Sequence, residues 1–427
     1  MNQQATKKTS IGQYKPLVLG AGIGSMLGSG IIVGLSATIT VWQNGLNLSN
    51  GEVGYLSAAL TFAIAAGSLL AGKITNLFGL IRSFNSLNLL YAIGAAICVF
   101  SNGFGMLMAG LIIAGFASGA DLPISLTVVS HDAPDDKTSA NLVSSTQIFW
   151  QIGVFMSYIC SFIVSRMTGA AGARVVFGIL FLLAAVTFLW RSTSPKFKEL
   201  HAAGDRYREA EHDADAGSQA SMKDVLFGTQ KKKYMSLFFG ILIFYVCWNL
   251  LANTWGQFQT FTLVQANASQ SFATGAGIVL NVVALAATTL FASVAGSKYR
   301  NKFFVVGIVV QFAAMLGMAF SGSALWPIVV CIGCYNIGNQ IAGEAIYKVW
   351  TQESFPSDVR ASLQGFINGF SRLCCGLFAI ITPTLVLPEN IRTTMYGFAG
   401  VVVISALAGF TMMRLQKKYN IAQTDED

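Results

Sequence analysis

Three charged residues, Asp121, Glu344 and Arg372, lie inside long apolar stretches of the sequence. Each lies nine to twelve residues from the nearest polar loop. In an α-helix this corresponds to about 14 to 18 Å, which places all three in the middle third of a bilayer whose apolar core is about 30 Å thick. A charge at that depth costs at least about 2.5 kcal/mol on insertion scales, so each is a candidate functional residue.

Two carboxylates and one guanidinium can do two kinds of chemistry in this position. Asp121 or Glu344 can bind and release a proton and so couple a proton gradient to the movement of a solute, with sodium as the alternative coupling ion. Arg372 can bind an acidic group of the solute, or it can neutralise one of the acids if the solute is uncharged. One base against two acids leaves one acid free to titrate in either case. The structural alternative is that the three charges pair with one another and only fix helix packing.

Uncharged polar side chains inside the same stretches supply the other half of a solute site. Several of them recur at spacings of three and four, which places them on one face of a helix. Amides donate and accept hydrogen bonds and aromatic faces stack on pyranose-like rings, so we expect a polyhydroxylated solute, although hydrogen bonding between helices could claim half of these residues. The predicted solute-binding residues are Gln147, Gln151, Trp248, Asn249, Asn253, Asn336, Asn339 and Gln340, together with Arg372.

The composition requires that these residues be carried by membrane-spanning helices. The chain has 427 residues, of which 54% are hydrophobic and only 11% are charged, whereas soluble domains carry about 25% charged residues. Its mean hydropathy is +0.59. Twelve apolar windows near the length of a spanning helix follow one another. We therefore predict an all-α membrane protein with twelve transmembrane helices in two six-helix bundles.

One long hydrophilic segment divides the twelve windows into six and six. The predicted organisation is a first bundle over residues 1–190, a linker over 191–234 and a second bundle over 235–427. Asp121 precedes a proline by 13 residues in the first half, and Glu344 precedes one by 12 in the second. This correspondence favours a duplicated six-helix unit.

The distribution of basic residues predicts the orientation of the chain. The great majority of the 27 Lys and Arg residues fall on one side if both termini are cytoplasmic, as the positive-inside rule requires. The net charge of +8 reflects this bias and does not indicate a nucleic-acid partner. We expect a monomer in a bacterial inner membrane whose partners are the lipid bilayer and a small solute. Seven cysteines within apolar stretches and no complete ligand set predict neither a metal nor another cofactor.

With this architecture, two loops resemble motifs of the major facilitator superfamily, and the resemblance extends over essentially the whole chain. The loop from Gly72 through Gly79 to Arg82 resembles the G-x3-D-R-x-G-R-R loop, with Asn76 in place of the acid and Leu77 in place of the following base. The loop after the tenth helix resembles the E-x-x-P-x-x-x-R-G motif of sugar porters. The resemblance implies that these loops act as gates, and the residues concerned are Gly72, Gly79, Arg82, Glu353, Pro356 and Arg360.

Two buried charges share in this resemblance. The run from Gly119 through Asp121 to Pro123 is similar to that of metabolite:proton symporters, whose helix-four acid is implicated in coupling. Arg372 looks like the helix-eleven arginine of organic-anion carriers. The first helix departs from proton-driven sugar porters because it contains no acid, so coupling must be placed elsewhere.

The predicted function is secondary active transport of a monosaccharide, polyol or sugar acid by alternating access, with proton symport as the expected mode. Efflux of amphipathic compounds and a non-transporting receptor on the same fold are the alternatives. A membrane enzyme is disfavoured, because the three histidines fall in predicted loops with no serine or cysteine nucleophile beside them.

Overall fold

A computed structural model describes residues 14–133, 136–212, 222–294, 299–322 and 324–421. Among these residues the regular structure is helical, with no strand. Eleven of the described helices are long and apolar enough to cross a membrane, and a twelfth contributes a shorter apolar segment, Ile148–Ile163. The predicted fold class is therefore confirmed.

Six helices form the first bundle and seven form the second, because the tenth span is broken into two. The first bundle consists of α1 (Lys15–Leu46), α2 (Asn50–Phe78), α3 (Leu80–Val99), α4 (Phe104–Asp132), α5 (Asp136–Ile163) and α6 (Ala171–Thr193). The connecting segment contains α7 (Pro195–His212) and α8 (Met222–Phe227). The second bundle consists of α9 (Lys231–Gln265), α10 (Gln270–Val294), α11 (Arg300–Ser321), α12 (Leu325–Ile341), α13 (Glu344–Ser354), α14 (Ser357–Leu385) and α15 (Ile391–Lys418).

Local signals in the sequence account for several helix ends. Ser49 caps α2 by accepting a hydrogen bond from the backbone N–H of Glu52, whose side chain accepts one from the Ser49 backbone in return. Only Gly79 separates α2 from α3, and its φ of +84° lies in the region that favours glycine. The predicted loop between the second and third helices is therefore a single-residue turn.

Each bundle has its own hydrophobic core, and much of the outer apolar surface remains uncovered. Leu182, Val186 and Leu189 of α6, for example, are 58 to 63% exposed. A soluble protein rarely leaves apolar surface of this extent uncovered. This is the surface that the lipid bilayer covers.

The two bundles are in contact through α1, α2 and α5 of the first and α9, α10 and α14 of the second. We call the end that carries the connecting segment and the last helix's C-terminus the terminal end, and the opposite one the far end. At the far end, Thr40 of α1 donates a hydrogen bond to Gln270 of α10 at 2.5 Å, and the hydroxyls of Ser165 and Ser271 are 2.7 Å apart. Gly54 of α2 packs directly against the backbone of α14. The two bundles are thus fastened together at the far end.

Candidate functional site

A column of amides on α9 connects the second bundle to the first. Asn249 donates a hydrogen bond to the hydroxyl of Ser371 on α14 at 2.8 Å. Gln257, two turns further along, donates to the side-chain oxygen of Asn253 at 2.9 Å and to the hydroxyl of Thr61 on α2 at 2.9 Å. The carbonyl oxygen of the buried Gln257 amide has no hydrogen-bond partner among the described residues. The column therefore crosses the space between the bundles and retains an unsatisfied acceptor there.

Gln257 was not among the predicted solute-binding residues, although its spacing of four from Asn253 would have identified it. The two predicted amides on α9, Asn249 and Asn253, are both half-buried on this column. Half-burial leaves part of each amide accessible to a solute. The structure thus brings these two predicted residues together on one face.

The predicted residues on α12, and Trp248, make contacts mostly within the second bundle. Trp248 is buried and donates to the backbone carbonyl of Asn339 at 3.3 Å. The Asn339 side chain accepts from Tyr335 at 3.2 Å. Gln340 accepts from Thr288 of α10 at 2.9 Å, and Asn336 is half-buried. These hydrogen bonds within and between helices are the contacts that the structural alternative predicts for Trp248, Asn339 and Gln340.

The predicted residues of the first bundle are on α5. Gln151 and its neighbour Trp150 are half-buried, and the Trp150 ring lies beside Gly28 of α1. The side chain of Gln147 lies outside those that the structure describes. Trp150 was not predicted, and its position next to Gln151 is the only sequence signal for it.

Arg372 lies on the face of α14 that meets the first bundle. Gly369 and Gly376, three residues before it and four after it, pack against Leu69 and Phe62 of α2. Arg372 is half-buried between them and forms no ion pair with any residue in the described part of the chain. It is a cation facing the boundary between the bundles.

Asp121 is buried and has its own base. Its Oδ1 lies 2.9 Å from Nη1 of Arg191, whose side chain is completely buried. Arg191 also donates to the backbone carbonyls of Phe84 at 2.6 Å and Gly20 at 2.8 Å, and its guanidinium lies 3.8 Å above the Phe84 ring. The Asn88 amide, turned so that its oxygen faces the guanidinium, accepts from Nε at 3.2 Å. The pair therefore ties α4 to α1, α3 and α6.

The close approach of Asp121 to α1 depends on a glycine. A Cβ atom at Gly24 would collide with Oδ2 of Asp121, and this oxygen is buried without a hydrogen-bond partner among the described residues. Gly20 and Gly28, one turn on either side, pack against Phe197 and Ser118. The close-packing face indicated by these glycines at spacing four is therefore present.

Glu344 occupies a different environment. It begins α13 after the break at Gly343, its side chain is 51% exposed, and it lies 2.9 Å from Nζ of Lys348 in the next turn. An exposed pair of this kind contributes little to stability.

The expected charge balance of one base against two acids is wrong. Asp121 pairs with Arg191 and Glu344 pairs with Lys348, so each acid has a base and Arg372 is left without an acid in the described residues. Sequence reasoning placed Arg191 in the linker because the apolar window ends at residue 190. In the structure, α6 continues to Thr193 and turns Arg191 inward.

The residues of the two predicted gates lie at the terminal end. Gly72 has open space around it, and Arg82 is exposed beside a surface pocket of about 510 Å³. Glu353 accepts a bidentate pair of bonds from Arg300, at 2.7 and 3.2 Å. Pro356 precedes the first residue of α14, and the side chain of Arg360 lies outside those described. A gating role for these residues stays a prediction.

None of the three histidines is in a loop as expected. His131 is in the last turn of α4, and His201 and His212 are in α7. His131 and His201 lie together with Asp132 at the terminal end, which the spacing of these residues along the chain does not indicate.

Comparisons with known proteins agree with this architecture. The model of the Major Facilitator Superfamily matches residues 18–379. The minor myo-inositol transporter IolF of Bacillus subtilis (strain 168) is 26% identical over 424 residues, which cover 97% of this chain and 94% of that protein. The putative niacin/nicotinamide transporter NiaP of the same organism is 22% identical over 418 residues, covering 96% and 98%.

Two solved structures share the fold. The crystal structure of a D-xylose-proton symporter has a TM-score of 0.75 at 16% identity and covers 96% of this chain and 98% of its own. The inward open conformation of the xylose transporter XylE from E. coli has a TM-score of 0.74 at 16% identity, covering 94% and 95%. The protein is a multi-pass membrane transporter and not an enzyme, and its chain belongs to the Major Facilitator Superfamily.

Proposed function

We propose that the protein is a secondary active transporter that moves a small polyhydroxylated solute, a cyclic polyol or monosaccharide, by alternating access. The amide column on α9 carries this proposal. Asn253 and Gln257 offer donors and acceptors next to the contact between Gln257 and Thr61, which joins the two bundles. Solute hydroxyls that bind these amides compete with that contact, so that binding is linked to the rearrangement of the bundles.

The relatives support this solute class. The chain aligns over nearly its whole length with a transporter named for myo-inositol, a cyclic polyol. The hydrogen bonds described for the column join amides and two hydroxyls, those of Ser371 and Thr61, and no charged side chain, which suits a neutral polyol. Myo-inositol and monosaccharides are therefore the first solutes to test.

We propose that a proton is the coupling ion and that Asp121 binds it. This carboxylate is buried with one unpartnered oxygen, and its protonation would remove the charge that pairs with Arg191. Arg191 would keep its bonds to Gly20 and Phe84, so that α4 would loosen from α1 and α3. Glu344 is the weaker candidate because its pair with Lys348 is exposed. Sodium is the alternative coupling ion.

The orientation is proposed from the basic residues. We infer that the terminal end faces the cytoplasm of a bacterial cell, because the positive-inside rule places most of the 27 Lys and Arg residues there. The far-end contacts then lie on the extracellular side.

Uptake into proteoliposomes tests the solute class. We expect myo-inositol or a monosaccharide to accumulate in response to an inward proton gradient and to exchange in the absence of one. Asn253→Ala should raise KM by about two- to tenfold, the loss of one neutral hydrogen bond to a bound solute. Gln340→Ala is the matched control, because its amide already bonds to Thr288 within the second bundle. Undiminished transport by Asn253→Ala would remove the amide column from the site, and failure of every solute to exchange would favour a receptor.

Arg372 favours an acidic polyol as the second candidate solute. It faces the boundary between the bundles without an acid in the described residues, and a carboxylate on the solute would neutralise it. We expect Arg372→Gln to abolish uptake of a sugar acid such as a hexuronate and Arg372→Lys to retain part of it. If Arg372→Gln transports the sugar acid normally, the arginine has no part in recognition.

A further inference from the structure

A groove between α3 and α6 lies on the outer surface of the first bundle. Eleven side chains line it, and all of them are apolar. Small residues leave the space, namely Ala92 and Ala96 on α3 and Ala185 on α6, while Leu89 and Ile93 at the edge are 40% and 47% exposed. Because this surface belongs to the apolar exterior that the bilayer covers, the groove opens to the hydrocarbon of the membrane.

The length of the groove matches one leaflet of the bilayer. Its lining on α3 extends from Leu89 to Phe100, the residue that follows this helix at the far end. Their separation of eleven residues corresponds to about 16 Å of helix, and half of the apolar core of a bilayer is about 15 Å thick. The groove therefore runs from the membrane surface at the far end to about the middle of the bilayer.

The groove is too narrow for a helix. The empty space between its side chains is about 900 Å³, which over a length of about 16 Å gives a mean cross-section of at most about 55 Å². An α-helix with its side chains is about 10 Å or more across, which corresponds to a cross-section of about 80 Å². A flexible hydrocarbon chain can enter the groove, whereas a helix of a second copy can only cover its mouth.

A half-buried cation lies beside the far end of the groove. Arg174 precedes Phe181 by seven residues and Ala185 by eleven, spacings that place all three on one face of α6. Its Nη2 donates to the backbone carbonyl of Ser101 at 2.9 Å, and Ser101 follows Phe100 of the groove lining. The guanidinium is thus held where the groove meets the membrane surface.

Most of the donors of Arg174 have no acceptor in the described part of the chain. A guanidinium carries five N–H groups, and the only hydrogen bond that this one makes to a described residue is the bond to Ser101. Its buried Nε has no partner there, and no ion pair between described residues includes Arg174. Glu52, the one acid described at the far end of the first bundle, is hydrogen-bonded to Ser49. A negative group for Arg174 must therefore come from another molecule.

We propose that the groove and Arg174 form a binding site for an anionic phospholipid of the far-end leaflet. One acyl chain fills the groove, and the phosphate accepts hydrogen bonds from the guanidinium donors that Ser101 leaves unused. The bond to Ser101 holds the guanidinium in place before the lipid binds. Phosphatidylglycerol suits the site because its headgroup has no ammonium group that would need an acid from the protein.

The site is separate from the transport machinery. Both helices that form it belong to the first bundle, and it includes none of the residues proposed to bind the solute or the proton. The bound lipid would join α3 to α6 along their lipid-facing side. A test of the lipid site can therefore succeed or fail independently of the transport assay.

Native mass spectrometry of the delipidated full-length protein measures the affinity for the headgroup. We expect phosphatidylglycerol to bind at least about tenfold more tightly than a diacylglycerol with the same acyl chains, which lacks the phosphate, the contribution of one charge-assisted hydrogen bond. Arg174→Gln should abolish this preference. Arg166→Gln, which removes an exposed arginine at the same end of the molecule, is the matched control and should bind both lipids as wild type does.

A second pair of variants tests the groove. Ala185→Phe fills it with a ring, whereas Val186→Phe adds the same ring to the neighbouring side chain, which is 63% exposed and does not line the groove. We expect Ala185→Phe to weaken the binding of phosphatidylglycerol at least about tenfold, because the acyl chain loses its buried contacts. Val186→Phe should leave the affinity unchanged.

Four results would overturn the lipid site. The first is equal affinity of the wild-type protein for phosphatidylglycerol and diacylglycerol, and the second and third are wild-type affinity for phosphatidylglycerol in Arg174→Gln or in Ala185→Phe. The fourth is a dimer in the same spectra that Ala185→Phe dissociates, which would assign the groove to a second copy of the chain. If one variant is not monodisperse, the wild-type comparison of the two lipids and the other variant decide the question.

Discussion

The predicted repeat pairs the fourth span, α4, with the tenth, α12 and α13, and each ends near an acid at the terminal end, but the two acids have different partners. Asp132 at the end of α4 lies between two imidazoles and binds α7. Glu353 near the end of α13 accepts two bonds from Arg300 of α11 and a third, at 2.9 Å, from Gln416 of α15. Both acids fasten neighbouring helices to the end of their own bundle.

The difference lies in the base. A guanidinium is charged at every physiological pH and offers a planar fork of donors, so the second bundle carries a permanent, bidentate tie. Each imidazole in the first bundle presents a single ring nitrogen to Asp132. Similar topology therefore does not imply similar partners for the acid.

Breaking the most deeply buried permanent pair should have the largest effect. Arg191→Gln leaves Asp121 buried without its base and should lower the free energy of unfolding by about 3 to 5 kcal/mol. The double variant Asp121→Asn/Arg191→Gln should recover much of this loss, because no charge remains unpaired. Thermal unfolding in detergent measures both, and equal losses in the single and double variants would show that the pair is not the source of the effect.

The permanent tie in the second bundle should show a smaller loss that does not vary with pH. Arg300→Gln removes the base from a pair whose arginine is buried and whose acid is 21% exposed, so we expect about 2 kcal/mol. Unfolding temperatures measured from about pH 5.5 to 8.5 should differ from wild type by a constant amount. A loss confined to acidic pH would contradict a permanently charged base in this pair.

The imidazole tie in the first bundle should show a loss of about 1 kcal/mol. His131→Asn removes one of the two imidazoles that contact the buried Asp132, and the contact from His201 remains. Thermal unfolding in detergent measures the change, and a loss as large as that of Arg191→Gln would contradict this ranking.

The exposed pair should show almost no effect. Glu344→Gln should change the free energy of unfolding by less than about 0.5 kcal/mol, because Glu344 and Lys348 are 51% and 43% exposed. Lys348→Gln is the matched partner variant. A loss as large as that of Arg191→Gln would mean that this pair is buried by something other than the described chain.

Hydropathy predicted the twelve spans and their division into two bundles because lipid imposes a length and a composition on every spanning helix. It also placed Asp121 in a buried site. It could not identify Arg191 as the partner, since a basic residue at the end of an apolar window is typical of an interfacial anchor. What distinguishes Arg191 from an interfacial anchor is that its side chain turns inward and donates to the carbonyls of Gly20 and Phe84.

The cluster of His131, Asp132 and His201 was beyond sequence reasoning for a related reason. His131 and His201 are separated by two spanning helices in the chain, and their own segments are polar enough to be taken for loops. What joins them is the packing of Phe197 and Leu200 on the end of the bundle, a tertiary contact with no periodic signal. The amide column, in contrast, follows from spacing alone, since Asn249, Asn253 and Gln257 recur every four residues.

The most direct test of the proposed proton-coupled transport compares uphill accumulation with exchange in the same proteoliposomes. In Asp121→Asn/Arg191→Gln, where no buried charge is left unpaired, we predict that exchange of labelled myo-inositol or monosaccharide across the membrane is retained. Accumulation driven by a proton gradient should be lost, because the proton has no carboxylate to bind. Accumulation at the wild-type level in this variant would contradict the account.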